Sequence, residues 1–202
     1  MNLIDLFPRT IGATKLATLT PGLIARAIEL VETAEKVDLG ADGAYTTDQN
    51  LLDHELFTDV KREVITLCKK LSESYSHVVE EIAICNSWGN VLAHGQSIRN
   101  HKHNNSYISG SFYLTGGSSL NITNSEFHDL FGLMPRVKTG NYRSWESFCI
   151  NPEPGGVVVF PSGLYHSVSP SRDQGKRYSV AFNAVPVGAI GRPTSQLDLR
   201  IR

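Results

Sequence analysis

From residue 80 onward the chain is a succession of short β-branched or aromatic runs: EIAICNSWGNV, SYISGSFYL, SSLNITN, GGVVVF, YHSVSP and RYSVAFNAVPV. Gly, Pro, Ser and Asn separate them. Runs this short, punctuated this often, predict an antiparallel sandwich or barrel. Successive strand residues point to opposite sides, so each run also sorts its side chains by face. In RYSVAFN, Arg177, Ser179 and Asn183 share one face, and Tyr178, Val180 and Phe182 the other. If the chain stays extended after His103, then His101, His103, Tyr107, Ser109, Ser111 and Tyr113 lie together, opposite Ile108, Phe112 and Leu114. On a solvated sheet a polar face would simply lie outside. In a barrel it points into a cavity, and helices cover the apolar face.

The first 80 residues supply those helices. TPGLIARAIELVETAEK begins with Thr20 as N-cap and Pro21 at the first helical position. Leu23, Ile24, Ala27, Ile28 and Val31 then fall on one side. DHELFTDVKREVITLCKKLSESY repeats the pattern with Leu56, Phe57, Val60, Val64, Leu67 and Leu71. The expected organisation is one structural domain: a helical region over 1–79 packing on a β core over 80–202. The irregular stretch 124–147 is long enough to be a functional lid or an ornament.

Charge narrows the partners. Nineteen Lys and Arg against twenty Asp and Glu leave a formal charge of −1 and no basic stripe. Charge therefore gives nucleic acid no support as a partner. No apolar run approaches the roughly 18 residues of a membrane span, and MNLIDLFPRT lacks the make-up of a signal peptide. Cys68, Cys85 and Cys149 are widely spaced, form no CxxC pair, and sit in apolar surroundings. They predict core packing in a reducing compartment, which points to the cytoplasm.

Three features fit together chemically. His101-x-His103 offers two donors at one strand end, and His166 follows an apolar run and a Pro-Ser-Gly turn. Such a set holds one side of a metal ion and leaves the other open. Arg177-x-Ser179 adds a fixed cation with a planar donor fork for a carboxylate, and a hydroxyl beside it. His54, His77, His94 and His128 have no spacing partner and read as solvated or structural. Trp88 and Trp145 fit a pocket wall or a core equally well. Tyr107 and Arg143 are candidates for substrate contact.

The ordered set HKHNNSYISGSFYL, VVVFPSGLYHSVSP and KRYSVAFN resembles the Fe(II)/2-oxoglutarate-dependent oxygenases, which are built on the double-stranded β-helix. This jelly-roll fold is cupin-like and mainly β, here with N-terminal helices. The likeness is closest to small bacterial and phage members with HxHxxSxxSG and FPSxxxH segments, and it spans roughly residues 80–187. It implies Fe(II) held by His101 and His166 at the catalytic centre, with 2-oxoglutarate as cosubstrate, and His103 as third ligand is the preferred reading of the remaining position. Arg177 and Ser179 would bind the remote carboxylate, with Tyr113, Asn90 and Asn183 as further contacts. The implied activity is hydroxylation of a small-molecule or peptidyl substrate with release of succinate and CO2.

One departure matters. The family usually has His-x-Asp or His-x-Glu where this chain has His101-x-His103. A neutral imidazole there leaves the iron one unit more positive. Two other arrangements stay open: His103 and Asn105 in the two motif positions, or a carboxylate such as Asp129 reaching in from the long loop. The rival functions are a three-histidine cupin-type metalloenzyme that makes no use of 2-oxoglutarate, and a catalytically idle jelly-roll binding module.

Overall fold

The computed structural model describes residues 1–3, 5–126, 133, 136 and 138–201. His128 and Asp129 lie outside the described residues. Two helices form where the apolar stripes place them. α1 (Pro21–Thr33) starts at Thr20, whose side chain accepts from the Leu23 amide at 3.3 Å. Its last carbonyls are held by the Lys36 ammonium, 3.1 Å from Val31 O and 2.8 Å from Ala34 O. α2 (Thr58–Ser74) follows two 3-10 turns, Leu51–Asp53 and Glu55–Phe57. It buries Val60, Val64, Cys68 and Leu71 at helical spacing.

Among the described residues, twelve strands make two sheets. The larger contains β1 (Gly12–Lys15), β2 (Lys36–Asp38), β3 (Ala44–Thr46), β4 (Glu81–Leu92), β6 (Ile108–Tyr113), β9 (Gly156–Pro161) and β11 (Arg177–Ile190), in the order β1-β9-β6-β11-β4-β3-β2. β12 (Leu197–Leu199) pairs with the far end of β11. The smaller contains β5 (Ile98–His101), β7 (Leu120–Thr123), β8 (Ser147–Ile150) and β10 (His166–Val168), in the order β5-β10-β7-β8. From β4 to β11 the chain passes back and forth between the two sheets, all pairings antiparallel. That winding is the double-stranded β-helix.

The N-terminal region is not purely helical, because β1, β2 and β3 join the large sheet. These strands are only three or four residues long and mostly polar, so no alternation marks them. The helices cover the outer face of the large sheet. Phe57, Val60 and Val64 pack there with Ile108, Phe112, Val180 and Phe182 in one buried cluster. Each such side chain contributes roughly 1.5–3 kcal/mol through burial, and Phe57 meets Phe112 edge to face at 5.7 Å. With that face sealed, the opposite face of β4, β6 and β11 points at the small sheet. No helix among the described residues is long and apolar enough to cross a membrane.

Cysteine packing divides. Cys68 is buried and its thiol is pushed up to about 12 by burial. Cys149 is exposed, contrary to its apolar neighbours in sequence, because it sits on β8 at the edge of the small sheet.

Candidate metal centre

His101 closes β5 and His166 opens β10, and the two residues face each other in the antiparallel register. His103 lies two residues past β5. Its backbone N–H donates to Ser162 O at 3.0 Å, and its ring stacks on Trp88 of β4 at 5.9 Å. The ring centres lie 4.2 Å apart for His101 and His166, and 5.1 Å for each of the other two pairs. One ligand nitrogen from each ring lies within 4.8 Å of the others, the only such cluster of metal-ligating side chains among the described residues.

The hydrogen bonds fix which nitrogens these are. His101 Nδ1 is 2.8 Å from Arg99 O, and His166 Nδ1 is 2.9 Å from Leu164 O. A carbonyl only accepts, so both Nδ1 atoms carry a proton, and in the neutral ring the lone pair is then on Nε2. Burial also keeps rings neutral: it pushes His166 down to about 4 and lowers His103. Neutral imidazole is the form a metal requires.

That neutrality has a cost in acid. The unfolded chain takes up the His166 proton near the ordinary value, whereas the folded one waits until about 4. Between those values the unfolded state holds more protons, so stability falls as pH falls. Metal-free protein should lose about 2 kcal/mol on this account between pH 7.5 and 5. Denaturant unfolding of chelator-treated wild type and His166→Gln at both pH values checks it, and equal slopes would refute it.

The large sheet supplies the rest of the cavity. β11 lies between β4 and β6, so residues line up across three strands. Asn90, Ser179 and Tyr113 make one rung, and Trp88, Ala181 and Ser111 the next. Arg177 enters from the end of β11 with 2% of its surface exposed. Its Nη1 is 3.4 Å from Ser179 Oγ and its guanidinium lies 5.3 Å from the Tyr113 ring centre. Its Nε has no partner, and no carboxylate pairs with it among the described residues. Burial pushes the Tyr113 phenol up to about 12, so it stays a neutral donor.

The cavity measures about 300 Å³, and His101, His103, His166, Arg177, Ser179, Tyr113 and Asn90 all line it. Across one side, Asp42 from the β2–β3 turn accepts from Arg99 Nε of β5 at 2.8 Å. That tie joins residues 57 apart and left no signal in the sequence.

Several expected placements differ. Asn183 is not among the lining residues; its carboxamide is engaged by His103, Ser109 and Asn86. Tyr107 leaves the histidine face, because the chain is not extended between β5 and β6. Its hydroxyl instead meets Ser72 at 2.8 Å and His77 at 2.6 Å under α2. Asn105 is exposed and away from the cavity, which sets aside the His103/Asn105 pairing. Arg143 is exposed and pairs with Asp5.

The site fits Fe(II) and 2-oxoglutarate on its own chemistry. Three imidazole nitrogens lie within 4.8 Å of one another, and a buried guanidinium in the same cavity has no carboxylate partner among the described residues. Burying an unpaired charge costs several kcal/mol, so Arg177 is built to receive one. The three histidines would hold the metal, and Arg177, Ser179 and Tyr113 the far carboxylate.

Residues 86–183 match the family described as "Putative 2OG-Fe(II) oxygenase". No curated protein sequence matches the chain. Among solved structures, HygX from Streptomyces hygroscopicus, with nickel, 2-oxoglutarate and hygromycin B bound, is 14% identical with a TM-score of 0.61. That match covers 88% of this chain and 83% of HygX. The α-ketoglutarate-dependent epimerase SnoN from nogalamycin biosynthesis is 13% identical with a TM-score of 0.65, covering 92% and 80%. A Pseudomonas putida prolyl-4-hydroxylase is 14% identical with a TM-score of 0.57, covering 87% and 92%. At these identities the structural likeness establishes the fold, and the family match is independent of it. The segment that carries the histidine triad and the buried arginine is thus the segment that resembles the 2OG-Fe(II) oxygenases.

Proposed function

We propose that the protein uses Fe(II) and 2-oxoglutarate to hydroxylate a C–H bond of a small-molecule or peptidyl substrate. The observation that carries this is Arg177: a buried cation without an anionic partner among the described residues, facing the same cavity as the three histidines. When bound, the metal and 2-oxoglutarate together reduce dioxygen, one oxygen atom going to the substrate and the other to succinate, with CO2 released.

The chain's own residues supply the rest. His101, His103 and His166 hold one side of the metal and leave the other to exchangeable ligands. Arg177 orients the far carboxylate with its donor fork, helped by the Ser179 and Tyr113 hydroxyls. The Asp42–Arg99 tie borders the cavity, and Leu39, Tyr45, Trp88 and Ile98 give it an apolar wall for substrate. A cupin-type enzyme without 2-oxoglutarate would leave Arg177 with nothing to bind. The three cysteines are free thiols, which supports a reducing, cytoplasmic setting.

Anaerobic titration with Fe(II) and then 2-oxoglutarate tests the reading. The visible charge-transfer band of the chelate should appear only when both are present. Bound iron without a band on adding 2-oxoglutarate would refute it, and absence of metal binding would favour the idle module.

A further inference from the structure

The protons on His101 and His166 end on backbone carbonyls, which the chain itself fixes. His103 is different. Its Nδ1 lies 2.7 Å from the side-chain oxygen of Asn183. That oxygen also meets Ser109 Oγ at 2.7 Å, and Asn183 Nδ2 donates to Asn86 Oδ1 at 2.9 Å. Ser109 Oγ is 2.8 Å from Ser162 Oγ, which is 2.9 Å from Ser106 Oγ.

Counting protons orders this network. Each hydroxyl has one proton to donate. Ser109 gives its own to Asn183, so Ser162 must donate to Ser109 and Ser106 to Ser162. The chain runs one way and ends on Asn183 Oδ1. That oxygen has two lone pairs; Ser109 takes one and the other faces His103. Ser109, Ser162 and Asn183 are all buried, so water does not replace these bonds.

We propose that Asn183 is the positioning residue that makes His103 a metal ligand, by holding the His103 proton on Nδ1 and leaving the Nε2 lone pair to the triad. The serine chain holds the carboxamide in the orientation this requires. Asn183 is neutral, so His103 remains a neutral donor and the site keeps its extra positive charge. The inference rests on the three-histidine metal site alone, and metal binding without 2-oxoglutarate tests it separately from the oxygenase reading.

Two measurements decide it. Side-chain ¹H–¹⁵N correlation spectra of the metal-free full chain should show His103 protonated on Nδ1. In Asn183→Leu the ring should revert to the Nε2–H form that free histidine prefers. Calorimetric titration with Co(II) should show Asn183→Leu binding roughly 10–100-fold more weakly, the usual effect of removing a partner from a ligating histidine. Asn183→Asp, which keeps the acceptor, should bind at least as tightly as wild type. His103 protonated on Nε2 in the wild type would overturn the proposal without recourse to any variant. So would wild-type affinity in Asn183→Leu, or equal losses in both variants, which would indicate damaged packing.

Discussion

Arg177→Met is expected to weaken 2-oxoglutarate binding by at least about 100-fold, while metal affinity changes by less than about threefold. Removing one partner of a buried charge pair costs roughly 3–5 kcal/mol, and each 1.4 kcal/mol is about tenfold in affinity. The same substitution should move stability the other way. In the ligand-free protein Arg177 is a buried cation with no carboxylate partner among the described residues, so an apolar side chain of similar length removes a penalty. A gain of about 1–3 kcal/mol is the expected scale. Arg177→Lys should fall between, since it keeps the charge and loses the fork. Calorimetry on Co(II)-loaded protein and denaturant unfolding of the metal-free protein measure both effects. Equal loss of metal and 2-oxoglutarate binding would show that Arg177 holds the site together rather than holding the cosubstrate.

Gly110→Ala should be the most damaging single methyl group in the core sheet. Gly110 sits on β6 opposite Phe182 of β11. A Cβ there would lie 2.4 Å from Phe182 Cζ and 2.6 Å from the Val158 carbonyl oxygen. Neither neighbour yields easily, because Phe182 is fully buried and the carbonyl belongs to the neighbouring strand. Overpacking of this kind costs about 3 kcal/mol, which lowers Tm by roughly 6–12 °C at this chain length. This is the glycine of HxHxxSxxSG. The Phe182 ring lies across its bare backbone. A Tm loss under about 2 °C would mean the sheet can separate there.

Some of this was written locally and some was not. The Thr20–Pro21 start and the α2 stripe marked both helices, because caps and periodic burial act within a few residues. The alternation of β11 placed Arg177 and Ser179 together for the same reason. β1, β2 and β3 escaped notice because their order comes from distant partners rather than their own side chains. Tyr107 was misplaced by the turn between β5 and β6, where parity no longer counts. His101 and His166 were legible through spacing. The part played by Asn183 depends on a contact between residues 80 apart in the chain, which no local pattern encodes.

The short N-terminal strands also decide what can be cut from this protein. β1 runs along β9, and β3 with β2 runs along β4. A fragment trimmed to the matched span 86–183 would keep every residue of the triad and lose both of those borders. It would then present two open rows of backbone donors and acceptors, each a template for pairing with another copy. The recognisable motif and the unit whose sheet borders are covered are therefore different lengths of chain, and the second includes β1.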